Sequence, residues 1–117
     1  MRVTHPLPDT LIQLIAQRFH VLSDPTRIKL LDRLREGEAS VHELTELVGS
    51  SPQNVSKHLG VLHLAGIVHR RKEGNYVYYS IADAGVFALC EAVCGSLRER
   101  LDALSSLVAG ASEANGR

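Results

Sequence analysis

The stretch Gly49-Ser50-Ser51-Pro52-Gln53-Asn54-Val55-Ser56-Lys57-His58-Leu59-Gly60-Val61-Leu62 decides the fold. Its first four residues read as a tight turn, and Ser51 before Pro52 reads as a helix entry. Proline suits the first helical position because no N–H is needed there. Val55, Leu59 and Leu62 then recur at helical spacing and turn to one side. Gln53, Asn54, Ser56 and Lys57 are left on the other. Just upstream, Ser40 and Glu43 have the spacing of a capping box and open a short helix bearing Leu44, Leu47 and Val48. Two short helices joined through Gly49 make a helix-turn-helix.

Working outward, the spacing predicts a first helix from Asp9 or Thr10. Its stripe is Leu11, Ile15, Phe19 and Leu22, with Ile12 and Leu14 beside it. Ser23-Asp24-Pro25 stops that helix and starts a second, with Asp24 accepting from free amides. The second helix carries Ile28, Leu30, Leu31 and Leu34 and ends at Gly37. Gly66 closes the helix from Pro52. Ile67 to Arg71, Lys72 to Asn75 and Tyr76 to Ile81 then read as strand, turn and strand, with a Gly-Asn turn suited to φ > 0. Asp83 opens a long last helix striped with Val86, Cys90, Val93, Leu97, Leu101, Leu104 and Val108. The expected architecture is mainly α with a β-hairpin wing, in the order α-α-α-α-β-β-α: a winged helix-turn-helix. Residues 1–8 read as a flexible arm, 9–109 as the domain and 110–117 as a frayed tail.

Composition bounds the function. The 117 residues hold 13 Lys+Arg and 13 Asp+Glu, so the net charge is zero, which argues against a nucleic-acid coat or a membrane-surface peptide. A hydrophobic fraction of 44% and a charged fraction of 22% are ordinary globular values. No apolar run approaches the roughly 18 residues of a membrane span, and no export signal is read, so the expected compartment is the cytoplasm. Two cysteines are too few for a disulfide scaffold. No Gly-rich phosphate loop, nucleophile elbow or catalytic acid pair is present, so no enzyme is expected.

The zero conceals an asymmetry. Between Ser51 and Ser80 stand Lys57, Arg70, Arg71 and Lys72 against the single acid Glu73, a local charge of +3. Such a segment suits double-stranded DNA: wing cations meet phosphates and supply affinity, while the helix reads base edges. Gln53 and Asn54 suit adenine and Lys57 suits guanine, Ser56 shares their face, and Ser51 suits a phosphate. Arg70, Arg71, Lys72 and Asn75 belong to the wing. His58 adjoins the apolar stripe, so it reads equally as a DNA contact or a structural hydrogen-bonding group. The competing reading of the whole is a winged-helix module that binds protein and not DNA.

The chain resembles the ArsR/SmtB family of bacterial winged-helix repressors. The resemblance rests on Phe19 to Leu31 (Phe-His-Val-Leu-Ser-Asp-Pro-Thr-Arg-Ile-Lys-Leu-Leu), on Gln53 to Leu62 with its Ser-x-His-Leu element, and on Gly66-Ile67-Val68 leading to Gly74 through Tyr79. It covers roughly Ile15 to Leu101. It implies a homodimer joined through its terminal helices, palindromic operators, and DNA release on sensing a ligand. The apolar stripes of the first and last helices independently favour a homodimer, since so small a domain has little surface of its own to bury both.

At the family's sensing sites the chain departs from the pattern. Ser40 and His42 stand where the helix before the turn usually supplies cysteines. On the last helix Asp83 and Glu99 match outer ligand positions, but Gly85 and Ser96 replace the two histidines. Cys90 and Cys94 remain, one helical turn apart. They read either as small core hydrophobes or as an effector site for As(III), a soft metal or an oxidant. His5, in the arm, is a further candidate ligand for nickel, cobalt or zinc.

Overall fold

A computed structural model describes residues 4–114. Along the chain lie α1 (Asp9–Val21), α2 (Pro25–Leu34), β1 (Ala39–Ser40), α3 (Val41–Val48), α4 (Pro52–Leu64), β2 (Val68–Glu73), β3 (Tyr76–Ile81) and α5 (Gly85–Ala114). The chain divides into two units, Met1–Asp83 and Ala84–Arg117. Among the described residues no helix is long and apolar enough to cross a membrane.

In the first unit the core is built where the apolar spacing points. Leu30, Leu31 and Leu34 of α2, Leu44 of α3, and Val55, Leu59 and Leu62 of α4 are buried together with Ile67, Val68 and Tyr79. The caps form as expected. Asp24 accepts from the amides of Thr26 (2.8 Å) and Arg27 (3.1 Å). Ser40 and Glu43 close a reciprocal capping box, the Glu43 amide donating to Ser40 Oγ and the Ser40 amide to Glu43 Oε1. Ser51 Oγ accepts from the Asn54 amide at 3.1 Å. Gly49 ends α3 in the left-handed region (φ 71°), the bend that sends the chain into α4.

Two features differ from the sequence reading, and the hairpin turn takes the positive φ it predicts. Ala39 and Ser40 form a short strand opposite Tyr79 and Tyr78, so the hairpin is part of a three-stranded antiparallel sheet in the order β1-β3-β2. Two residues show no alternation, and Ser40 is legible only as a cap. The hairpin loop has positive φ at Gly74 (60°) alone, since no non-glycine residue has positive φ. A two-residue loop with glycine first has that form. The last helix begins at Gly85, beyond Asp83, and continues to Ala114, past the boundary expected at 109.

Several expected core residues are also exposed. Ile12, Leu14 and Phe19 of α1, Ile28 of α2 and Leu47 of α3 all face solvent. In the second unit, Val93, Leu97, Leu101, Leu104 and Val108 of α5 are 46–70% exposed.

Fully buried Leu59 seats α4 on the core. Its replacement by alanine is expected to cost about 2–5 kcal/mol in urea unfolding. A cost below about 1 kcal/mol would show that α4 is oriented by something else.

Candidate nucleic-acid interface

The buried stripe of α4 fixes which side chains it presents. Gln53, Asn54, Ser56 and Lys57 are all exposed. Asn54 is partly pre-positioned, because its Nδ2 donates to Ser50 Oγ at 2.9 Å. One N–H and the carbonyl oxygen of its amide stay available, enough for a bidentate contact. Ser51 spends its oxygen on the helix cap but retains a hydroxyl proton to donate. The hairpin extends beside this helix in sequence and carries Arg70, Lys72 and Asn75, all exposed. Lys57, Arg70 and Lys72 make no ion pair among the described residues.

Arg71, expected at DNA, and His58, read equally as a DNA contact or a structural group, both have partners within the protein. The His58 side chain is 16% exposed, and Arg27 Nη1 lies 3.2 Å from its Nδ1. Asp24 is more distant, at 3.8 Å. A guanidinium can only donate, so in the contact with Arg27 it is Nδ1 that accepts. Arg27 Nε also donates to the Val21 carbonyl at 2.6 Å. One guanidinium thus joins the end of α1, the start of α2 and the buried side of α4. Arg71 is bound by two carboxylates: Glu38 accepts from its Nη2 (2.8 Å) and Nε (3.1 Å), and Glu73 accepts from its Nη1. The guanidinium lies 4.5 Å from the centre of the Tyr78 ring.

Arg27 and Glu38 were not legible as site residues. Their partners are 31 and 33 positions away, and no local pattern announces such a pair. Counting Glu38 with the segment lowers its local charge from +3 to +2.

The acidic groups here respond to their partners in a consistent direction. Hydrogen bonding to Arg71 holds the Glu38 carboxyl below the usual range. The Arg27 amide first, and also that of Thr26, do the same for Asp24. For Glu43 the main cause is the Ser40 amide. The two carboxylates bound to Arg71 raise its own pKa further above the normal arginine value.

The expected ligand-sensing residues fare unevenly. No group of three or more His, Cys, Asp or Glu side chains is arranged for a metal among the described residues. His5 is exposed and belongs to no such group. His42 is paired with Glu46 at 3.2 Å, and Asp83 with Arg18 at 3.6 Å. These donors do not fit a closed nickel, cobalt or zinc site, which needs about four ligands converging on one point. Cys90 is half-buried, and Cys94 is exposed one turn away on α5. Cys94 is therefore no core residue of its own subunit.

An α2–α3–turn–α4 core with a hairpin wing and a polar outer face on α4 defines a winged helix-turn-helix reader. Comparison with known proteins narrows this. The helix-turn-helix domain family matches residues 22–71. The regulator KmtR of Mycobacterium tuberculosis is 38% identical over 81 residues, covering 69% of this chain and 62% of its own length. The uncharacterised HTH-type regulator Rv0081 of the same species is 38% identical over 109 residues, 89% of this chain and 96% of its own. Its crystal structure superposes with a TM-score of 0.73, over 81% of this chain and 96% of that one. The homodimeric winged helix-turn-helix DNA-binding domain of Mb0332 from Mycobacterium bovis, a possible ArsR-family regulator, is 30% identical. It gives a TM-score of 0.68 over 81% of this chain and 91% of its own. The chain belongs to the ArsR/SmtB family of helix-turn-helix transcriptional regulators.

The Asp24 cap has a definite pH signature. A carboxylate whose folded pKa is lowered stabilises the fold above its unfolded value, near 4, and loses that contribution as pH falls through the lower folded value. Asp24→Asn keeps a capping side chain but removes the charge. The stability gap between wild type and variant in urea unfolding should therefore be present at pH 7 and close toward about pH 3. A gap that stays constant over this range would show that the charge contributes nothing.

Proposed function

We propose that this chain is a homodimeric, cytoplasmic repressor of the winged-helix type that binds palindromic operator DNA through α4 and the hairpin. The observation that carries the reading is the division of α4 into two faces. Val55, Leu59 and Leu62 are buried, while Gln53, Asn54, Ser56 and Lys57 are exposed toward its N-terminal half, the part of a recognition helix that meets bases. Gln53 and Asn54 read adenine, and Lys57 donates to guanine O6 or N7. Lys57, Arg70 and Lys72 carry charge not spent on internal pairs, as phosphate contacts require. Ser51 and Asn75 flank them, at the helix entrance and the wing tip.

The exposed apolar rows of α1 and α5 support the homodimer. Two-fold symmetry then sets the two α4 helices about 34–36 Å apart, one DNA turn. The homodimeric relative Mb0332 is consistent with this assembly.

For the signal, the reading narrows to Cys90 and Cys94. Both lie on one face of α5, and the exposed Cys94 makes that pair reachable. Two thiolates one turn apart suit a soft metalloid such as As(III), or an oxidant. His5 belongs to no group of three or more candidate metal ligands among the described residues.

Mobility shift with fragments of the protein's own promoter tests the DNA reading. Binding should prefer one fragment, and Gln53→Ala or Asn54→Ala should relax that preference by about 1–3 kcal/mol at one base position. Binding of no genomic fragment at low salt would sink it. In the same assay Cys90→Ser with Cys94→Ser should abolish release by arsenite or peroxide, while retained release would remove the thiols from the sensor.

A further inference from the structure

Arg71 presents a contradiction if the wing is a set of phosphate contacts. Its neighbours in sequence, Arg70 and Lys72, point to the opposite face of β2, because strand side chains alternate. Arg71 shares its own face with Glu73, and the register sets it across from Tyr78. There its guanidinium makes a two-pronged bond to Glu38, in the segment just before β1, a third bond to Glu73, and a stack on Tyr78. Three of its five N–H groups are spent, and its single positive charge is outnumbered by two carboxylates. A phosphate approaching this point meets a net negative cluster and must displace a bidentate partner. The positions of Lys57, Arg70 and Lys72 impose no such toll.

We infer that Arg71 is a positioning residue and that Glu38 is a built-in brake on DNA affinity: it ties the wing to the start of β1 and withholds one cation from the phosphate backbone. The inference rests on the DNA-binding reading above for its second half only. The tether is a property of the free protein. The brake is a property of the complex. Glu38 lies outside the hairpin, 33 residues from Arg71, so the pair joins the wing to the segment leading into α3, which packs against α4. Through it, the position of the cationic hairpin is tied to the helix-turn-helix. Release of Glu38 frees the strap and removes the two-pronged hold on the guanidinium, leaving its single bond to Glu73.

Two measurements on the full chain test this. Amide hydrogen exchange without DNA should quicken at Ala39, Tyr78 and Tyr79 in Glu38→Gln and in Arg71→Ala. Unchanged exchange in both variants overturns the tether. Fluorescence anisotropy with a random-sequence duplex, across a salt series, tests the brake. Arg71→Ala should leave the slope of log K against log salt unchanged, whereas Lys72→Ala lowers its magnitude by about 0.9 per subunit, about 1.8 for the dimer. Glu38→Gln should tighten binding and raise the magnitude of the slope by up to the same amount, and adding Arg71→Ala should cancel both effects. A lowered slope for Arg71→Ala alone overturns the inference, because Arg71 would then already be a phosphate contact. Tightening that survives in the double variant also overturns it, since removing a negative charge at a distance would suffice. Failure of wild type to bind any duplex would sink the operator reading, and the exchange measurement would still decide the tether.

Discussion

Everything at the proposed DNA face depends on three buried side chains. Val55, Leu59 and Leu62 are fully withdrawn from water, each contributing about 1.5–3 kcal/mol to seating α4. A helix advances about 100° per residue, so fixing this stripe leaves its other residues no rotational freedom. Gln53 and Lys57, one turn apart, are driven to the side opposite the stripe, with Asn54 and Ser56 flanking. His58 falls about 60° from the stripe, which is why it meets Arg27 and not solvent. Reading head and core are thus one constraint seen from two sides. A substitution in the core therefore shifts the polar face of α4 without changing any of its exposed residues.

The same arithmetic explains which parts of the molecule were legible in the sequence. Leucine spacing, Asp24 and Ser51 before prolines, and the Ser40–Glu43 box are relations within one helical turn, and all take the form they announce. Strand β1 escapes notice because two residues cannot show a period. The pairs Arg27–His58 and Glu38–Arg71 escape because each spans more than 30 positions and depends on how the elements pack. Charge counting along the chain treated Arg71 as free for the same reason. A sequence window contains Glu73 but not Glu38, and the guanidinium has both.

Periodicity has a further blind spot. It identifies an apolar stripe but not what covers it. Leu30, Leu31 and Leu34 on α2 and the row Val93, Leu97, Leu101 and Leu104 on α5 read alike, yet the first group is buried in its own subunit and the second is exposed. Exposed apolar rows of that length are uncommon on isolated soluble domains and commonly mark protein contacts. In the other unit α1 exposes Ile12, Leu14 and Phe19, so each unit by itself carries apolar side chains that a second copy would cover.

Charge then gives the proposed dimer a specific purpose. Non-specific DNA affinity grows with the number of phosphates neutralised. Here each subunit offers few unspent cations, Lys57, Arg70 and Lys72 foremost, while Arg71 is bound by two acids. A neutral chain with a restrained wing is a poor clamp on arbitrary sequence. In the proposed dimer, two such heads would bind well only where both find half-sites at the spacing the symmetry dictates. Weak electrostatics and strict geometry therefore act in the same direction. What the single subunit lacks in affinity, the pair recovers as discrimination.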